Sequence, residues 1–247
     1  MSGEKKRILV TGASSGIGES TARLLIDNGN MVVATSRNEK RLLELYGDIV
    51  DVSVIPFDLS DPGLIDEYVK EVVSKAGPIN GLVHCAGMDL LSPVYMTKAS
   101  DIENVFKLNT FSAIKLVGAF SKKNMVEKPA SFVLVSSLSA HEGASGRSVY
   151  AASKAALEGF TEAASPELSA RGIRINCIAP GIVETHMSEG FLKALSGEQL
   201  DKISAEYPLG FGKPEDIAAF IEYLISEKSK WITGRTFILD GGHLTRK

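Results

Sequence analysis

The sequence predicts a single α/β domain, a doubly wound sheet of about seven mainly parallel strands with helices on both faces. Two observations carry this. Short apolar runs of β type alternate with longer helical patterns along the whole chain. No linker, low-complexity tract or repeat divides the 247 residues, a length at which one α/β core can close as one domain.

The elements follow in order. Residues 7–10 form an apolar run that enters a Gly-rich turn and then a helical pattern over 16–28. Further strands are expected at 31–35, 52–57, 81–84, 131–136, 173–178 and 236–239. Helices are expected at 61–75, 102–121, 149–170 and 214–226. Pro214 suits a first helical position, because the N–H it lacks would have no partner there. Pro166 lies inside the 149–170 pattern, where an interior proline predicts a local kink. The segment 184–211 breaks the rhythm and has a polar interruption at Ser196-Gly197. In a doubly wound fold it is expected to be a lid over the carboxyl ends of the strands, or else a surface excursion without a gating role.

Composition narrows the function. A formal net charge of -3 offers no electrostatic footprint for nucleic acid or an anionic membrane. No apolar run approaches the ~20 residues of a membrane span, and the polar start leads into a strand, not a signal-peptide core. A cytoplasmic protein is expected. Cys85 and Cys177 are too far apart for a CxxC motif, and four scattered histidines show no metal-ligand spacing, so no metal is expected.

The first strand runs into Thr11-Gly12-Ala13-Ser14-Ser15-Gly16-Ile17-Gly18. Glycines allow close backbone approach, and the helix N-terminus presents free N–H groups to an anion, a combination suited to a pyrophosphate. The spacing is GxxxGxG, not GxGxxG, and a purely structural turn is the alternative. Downstream, Tyr150 and Lys154 stand at i and i+4 on one helix face. A phenol titrates near ~10, and an adjacent ammonium favours its phenolate. Alone, that spacing is common on exposed helices.

TGASSGIG resembles the signature turn of the short-chain dehydrogenase/reductase family, with a Rossmann-type fold, and the likeness extends from Arg7 to Gly242. Ser137 lies thirteen residues before Tyr150, and Asn109 twenty-eight before Ser137, separations similar to those of the family's catalytic tetrad. The resemblance implies that Tyr150 exchanges the proton and Ser137 bonds the reacting oxygen. Lys154 would lower the Tyr150 pKa and hold the ribose hydroxyls, while Asn109 anchors a relay water. Ser136 competes with Ser137 for the strand-end position.

His84-Cys85-Ala86-Gly87 departs from the family's NNAG, keeping only Ala86 and Gly87, and implies a structural role for His84 and Cys85. Asp58 matches an adenine-binding aspartate or caps the next helix, and Leu59 follows it. Asn176, Pro180 and Gly181 match N-x-x-x-P-G, with Ile182, Val183 and Thr185 next to the nicotinamide. An acidic residue after the second strand marks NAD enzymes, but here Ser36 and Arg37 stand there. Arginine's fork of donors suits a 2′-phosphate, so NADP(H) is expected over NAD(H).

The implied reaction interconverts a ketone and a secondary alcohol. A 3-oxoacyl-thioester-like substrate fits the overall pattern, with a sugar or small polar ketone, or a regulatory member without turnover, as alternatives. Met88, Asp89, Ser139, His141, Val149 and Ile182 are the expected pocket residues. The family also implies a homotetramer or dimer built through the helices at 102–121 and 149–170.

Overall fold

The computed structural model describes residues 5–246. Among them, seven strands form one sheet in the order β3-β2-β1-β4-β5-β6-β7, every adjacent pair parallel. These strands are β1 (Arg7–Thr11), β2 (Met31–Thr35), β3 (Val52–Val54), β4 (Ile79–His84), β5 (Val126–Val135), β6 (Ile173–Pro180) and β7 (Thr236–Leu239). The order reverses between β1 and β4, which opens a crevice at their carboxyl ends.

Both faces of the sheet are covered, and so its strands read as continuous apolar runs. Leu9, Leu82, Phe132 and Leu134 join one core with α3 (Ile65–Ala76), α5 (Ser112–Phe120) and α6 (Ser148–Ser169). Ile8, Val10, Val83 and Val133 join the other with α1 (Gly16–Asp27) and α9 (Pro214–Ile225). Successive side chains of one strand thus serve opposite cores.

Several elements differ from expectation. Helix α2 (Glu39–Tyr46), capped by Asn38, packs Leu42 and Tyr46 inward where no helix was anticipated. Strand β3 stops at Val54, and β5 starts five residues earlier than the apolar run at 131, at Val126. The helix expected at 102–121 is α4 (Ala99–Phe106), a π-turn (Lys107–Phe111) and then α5. Helix α6 continues through Pro166 to Ser169. The Glu162 carbonyl, which cannot take a bond from the proline, accepts one from Ser165 Oγ at 3.0 Å.

Segment 184–211 carries α7 (His186–Ala194) and α8 (Gly197–Ala205). Its polar interruption is a helix cap, since Ser196 Oγ accepts from Gln199 N at 3.3 Å. No helix among the described residues is long and apolar enough to cross a membrane.

Candidate active site

The turn between β1 and α1 forms one wall of a cleft of about 550 Å³. Gly12 has φ +67, and a Cβ there would lie 3.0 Å from Ala86 N; a Cβ on Gly18 would meet the Gly12 carbonyl oxygen at 2.3 Å. Only glycine lets these segments close. Ser15 stands at the helix N-cap but does not cap with its side chain, leaving first-turn N–H groups open to an anion.

The cleft continues to the end of β2. Ser36, Arg37 and Asn38 line it, and no carboxylate stands there. Ser36 Oγ accepts from Asn38 N at 3.2 Å, while Arg37 is exposed. Asp58 is exposed, lies outside the cleft lining, and accepts from Ser60 N at 2.9 Å. Past Val54 the chain still pairs with the β2 edge, Ile55 N donating to the Ala34 carbonyl and Phe57 N to the Ser36 carbonyl, both at 3.1 Å, and Asp58 follows on the exposed side. Its neighbours Phe57 and Leu59 line the cleft instead, Phe57 stacked 4.3 Å from the Tyr68 ring. Nor is Asp58 the helix cap, since Asp61 accepts from Gly63 N at 3.0 Å.

Gly12, Ser14, Ser15, Gly16, Ile17, Gly18, Cys85, Ala86, Gly87, Pro180, Gly181, Ile182, Val183 and Thr185 all line the cleft. So do Ser137, Tyr150 and Lys154. Asn109 lies behind the wall, fully buried in the π-turn. Its Oδ1 accepts from Met88 N at 2.8 Å, and its Nδ2 donates to the Met88 carbonyl and Ser153 Oγ, both at 3.0 Å. A Cβ on Gly87 would sit 3.2 Å from both Asn109 Oδ1 and Lys154 Nζ. Gly87 therefore keeps both groups within reach of the cleft.

Lys154 is buried and donates to the Val135 carbonyl at 2.8 Å. Burial lowers its pKa to about 8. Burial raises the Tyr150 pKa, opposed by the neighbouring Ser137 hydroxyl; Asp89 adds to the rise and Arg147 opposes it. Lys154 stands near the same phenol. Nζ lies 5.9 Å from the Tyr150 ring centroid and is turned to a backbone carbonyl. The Ser136 hydroxyl reaches the Lys154 carbonyl at 3.1 Å and Glu158 Oε1 at 2.6 Å, while Ser137 lines the cleft with Tyr150.

Beyond Tyr150 the cleft becomes polar. Arg147 Nη1 donates to Asp89 Oδ1 at 2.8 Å, and its guanidinium lies 5.3 Å from the Phe191 ring on α7. His243 Nε2 is 2.7 Å from Glu142 Oε2, its ring stacked 4.6 Å from Tyr207. Met88, Asp89, Ser139 and Ile182 line the cleft as expected, while His141 and Val149 do not. His141 instead pairs with Glu158 at 3.0 Å. Phe191 and Tyr207 belong to the expected lid segment, while sequence reasoning missed Glu142, Arg147 and His243. Of these only Arg147, three residues before Tyr150 and at the start of its helix, carried a local signal. Asn176 ties β6 to the approach to β7, accepting from Arg235 N at 3.2 Å and donating to the Ile232 carbonyl at 3.0 Å.

A tyrosine and a lysine below the switch point of a doubly wound sheet, opposite a glycine turn, define a dinucleotide-dependent oxidoreductase architecture. Known proteins narrow this class. A family profile described as enoyl-(acyl carrier protein) reductase matches residues 12–243. The 3-oxoacyl-[acyl-carrier-protein] reductase FabG of Thermotoga maritima is 36% identical, covering 97% of this chain and 98% of that protein. The protein of the same name from Salmonella typhimurium is 31% identical, with 98% of each covered. The structure titled ElxO with NADP bound superposes with a TM-score of 0.86 at 29% identity, over 98% of this chain and 100% of that one. A putative short-chain alcohol dehydrogenase from Sinorhizobium meliloti 1021 gives 0.90 at 29% identity, over 97% and 96%. The chain belongs to the short-chain dehydrogenase/reductase family. It is an NAD(P)-dependent oxidoreductase acting on carbonyl or alcohol groups.

Proposed function

We propose that this protein reduces a ketone with NADP(H), or oxidises the corresponding alcohol, using Tyr150 as the proton donor or acceptor. The observation that carries this reading is the continuity of a single cleft from Arg37 and the glycine turn to Tyr150 and Ser137. The residues fit a dinucleotide: open helix N–H groups for its pyrophosphate, and Ser36 and Arg37 for a 2′-phosphate. Thr185 and the Pro180–Val183 stretch would border the nicotinamide. When bound, the nicotinamide supplies or takes the hydride.

The side chains divide the remaining work. Ser137 and Tyr150 line the same cleft, and two hydroxyls there suit a carbonyl oxygen gaining negative charge. Tyr150 gives its proton to that oxygen in reduction and takes it back in oxidation. Lys154 holds ribose hydroxyls and places positive charge below the site, and Asn109 anchors the water that links Lys154 to bulk solvent. Helices α7 and α8 act as the lid, with Phe191 and Ile203 lining the cleft.

The substrate we infer is a 3-oxoacyl thioester or a close analogue, supported by the relatives' names. A small polar ketone is the second reading, favoured by the Asp89–Arg147 and Glu142–His243 pairs where an acyl chain needs apolar walls. Exposed Ile102 and Phe111 support association of copies through this helical region.

The test is titration of NADPH and NADH on wild type and Arg37→Ala, followed by NADPH oxidation with an activated ketone. NADPH binding should weaken about tenfold without Arg37, as loss of a charged hydrogen bond predicts, with NADH little changed. Equal NADH and NADPH affinity would end the cofactor assignment. Binding without turnover would point to a regulatory member.

A further inference from the structure

His84 stands where the family pattern begins with asparagine, and it is fully buried between the end of β1 and the start of α5. Its bonds fix their own direction. Ser112 Oγ lies 2.5 Å from the Leu108 carbonyl, which can only accept, so the one Ser112 hydroxyl proton goes there. Ser112 Oγ must then accept from His84 Nε2, 3.4 Å away. With its proton on Nε2, the neutral imidazole accepts at Nδ1 from Thr11 Oγ1, 3.1 Å away. Thr11 Oγ1 itself accepts from Ala86 N at 3.1 Å.

One directed chain therefore runs from Ala86 N–H through Thr11, His84 and Ser112 to the Leu108 carbonyl. One end is the backbone beside the glycine turn and Gly87; the other is the π-turn residue adjoining Asn109. We infer that neutral His84 is a positioning residue, locking the cofactor-facing strand ends to the π-turn that carries Asn109. The inference rests on the proposed roles of Asn109 and Lys154. Burial, with the charge of Lys154, pushes the imidazole down to about 3, which keeps the connector neutral at working pH. A protonated ring would have to donate from both nitrogens and would set a second cation near Lys154.

Two substitutions divide the chain. In His84→Asn the amide oxygen can still accept from Thr11, but Ser112 loses its donor. In His84→Gln the amide nitrogen can still reach Ser112, but Thr11 loses its acceptor. The first, like Ser112→Ala, should lower kcat about tenfold with NADPH affinity changed far less; the second, like Thr11→Val, should chiefly weaken NADPH. His84→Asn and Ser112→Ala combined should cost no more than either alone. Equal losses of thermal stability in all four variants, with kcat and NADPH affinity unmoved, would make His84 a packing residue and overturn the inference.

Imidazole nitrogen shifts in the whole protein supply a readout that needs no turnover. The expected result is an Nε2–H tautomer that does not titrate between about pH 5 and 8. An Nδ1–H tautomer or an imidazolium would reverse the chain and sink the idea, whatever becomes of the proposed reaction.

Discussion

The Arg147 guanidinium grips the Asp89 carboxylate at 2.8 Å one helical turn ahead of Tyr150, and the two charges push the phenol in opposite directions. Both side chains are only partly exposed, so solvent screens them incompletely. Asp89 raises the Tyr150 pKa and Arg147 lowers it. Alcohol oxidation needs the phenolate, so its rate should rise with pH through the Tyr150 pKa. Arg147→Ala removes the cation and leaves Asp89, moving that limb to higher pH; Asp89→Asn moves it lower. Profiles of kcat/KM for both variants check the opposite signs.

Tyr150→Phe removes the proposed proton donor and keeps the ring. General acid–base catalysis contributes about 10²–10⁴ in rate, so kcat should fall by at least about 100-fold. NADPH affinity should stay within a few-fold of wild type. Fluorescence titration beside steady-state kinetics separates the two effects, and joint loss of binding would relocate Tyr150 to the cofactor site.

Lys154 is held in the fold at the expense of its charge. Burial lowers its pKa from 10.5 to about 8, so between those values the unfolded chain binds more protons than the native one. Stability must then rise with pH across that window, and below it the full penalty of the buried ammonium persists. Lys154→Met should be inactive yet at least as stable as wild type at neutral pH. The stability difference should shift in favour of wild type as pH increases from about 8 to 10.5. Denaturant unfolding at several pH values reads this directly.

Gly18→Ala places a methyl 2.3 Å from the Gly12 carbonyl oxygen, a backbone atom that cannot swing aside. Overpacking of this kind costs about 1–3 kcal/mol. The melting temperature should drop, and NADPH binding should fall with it because the turn must open to admit the side chain. Gly159→Ala, where the added carbon meets nothing within 4 Å, is the control expected to keep both.

Much of this protein is written in local pattern. The period of apolar residues marks all seven strands and the positions of the main helices, because each element must cover a buried face. The glycine turn is partly local: Gly18 answers to the Gly12 carbonyl of the same turn, whereas Gly12 answers to Ala86 beyond β4. Tyr150 and Lys154 share a face because a helix places i and i+4 together. Helix α2 escaped notice because its eight polar-rich residues bury only Leu42 and Tyr46.

Other decisions belong to the tertiary structure. Whether Asp58 or Phe57 meets the cleft depends on how the chain turns away from the β2 edge after Phe57, which hydrophobic runs do not specify. The π-turn that carries Asn109 reads as ordinary helix until it packs against Met88 and Ser153. Glu142 and His243 are 101 residues apart and meet only because the sheet order returns the chain's end to the mouth of the cleft. Periodicity and turn chemistry act over a few residues, and so they can be read along the chain. Pairing of distant side chains is set by the order of strands, a property of the closed sheet as a whole.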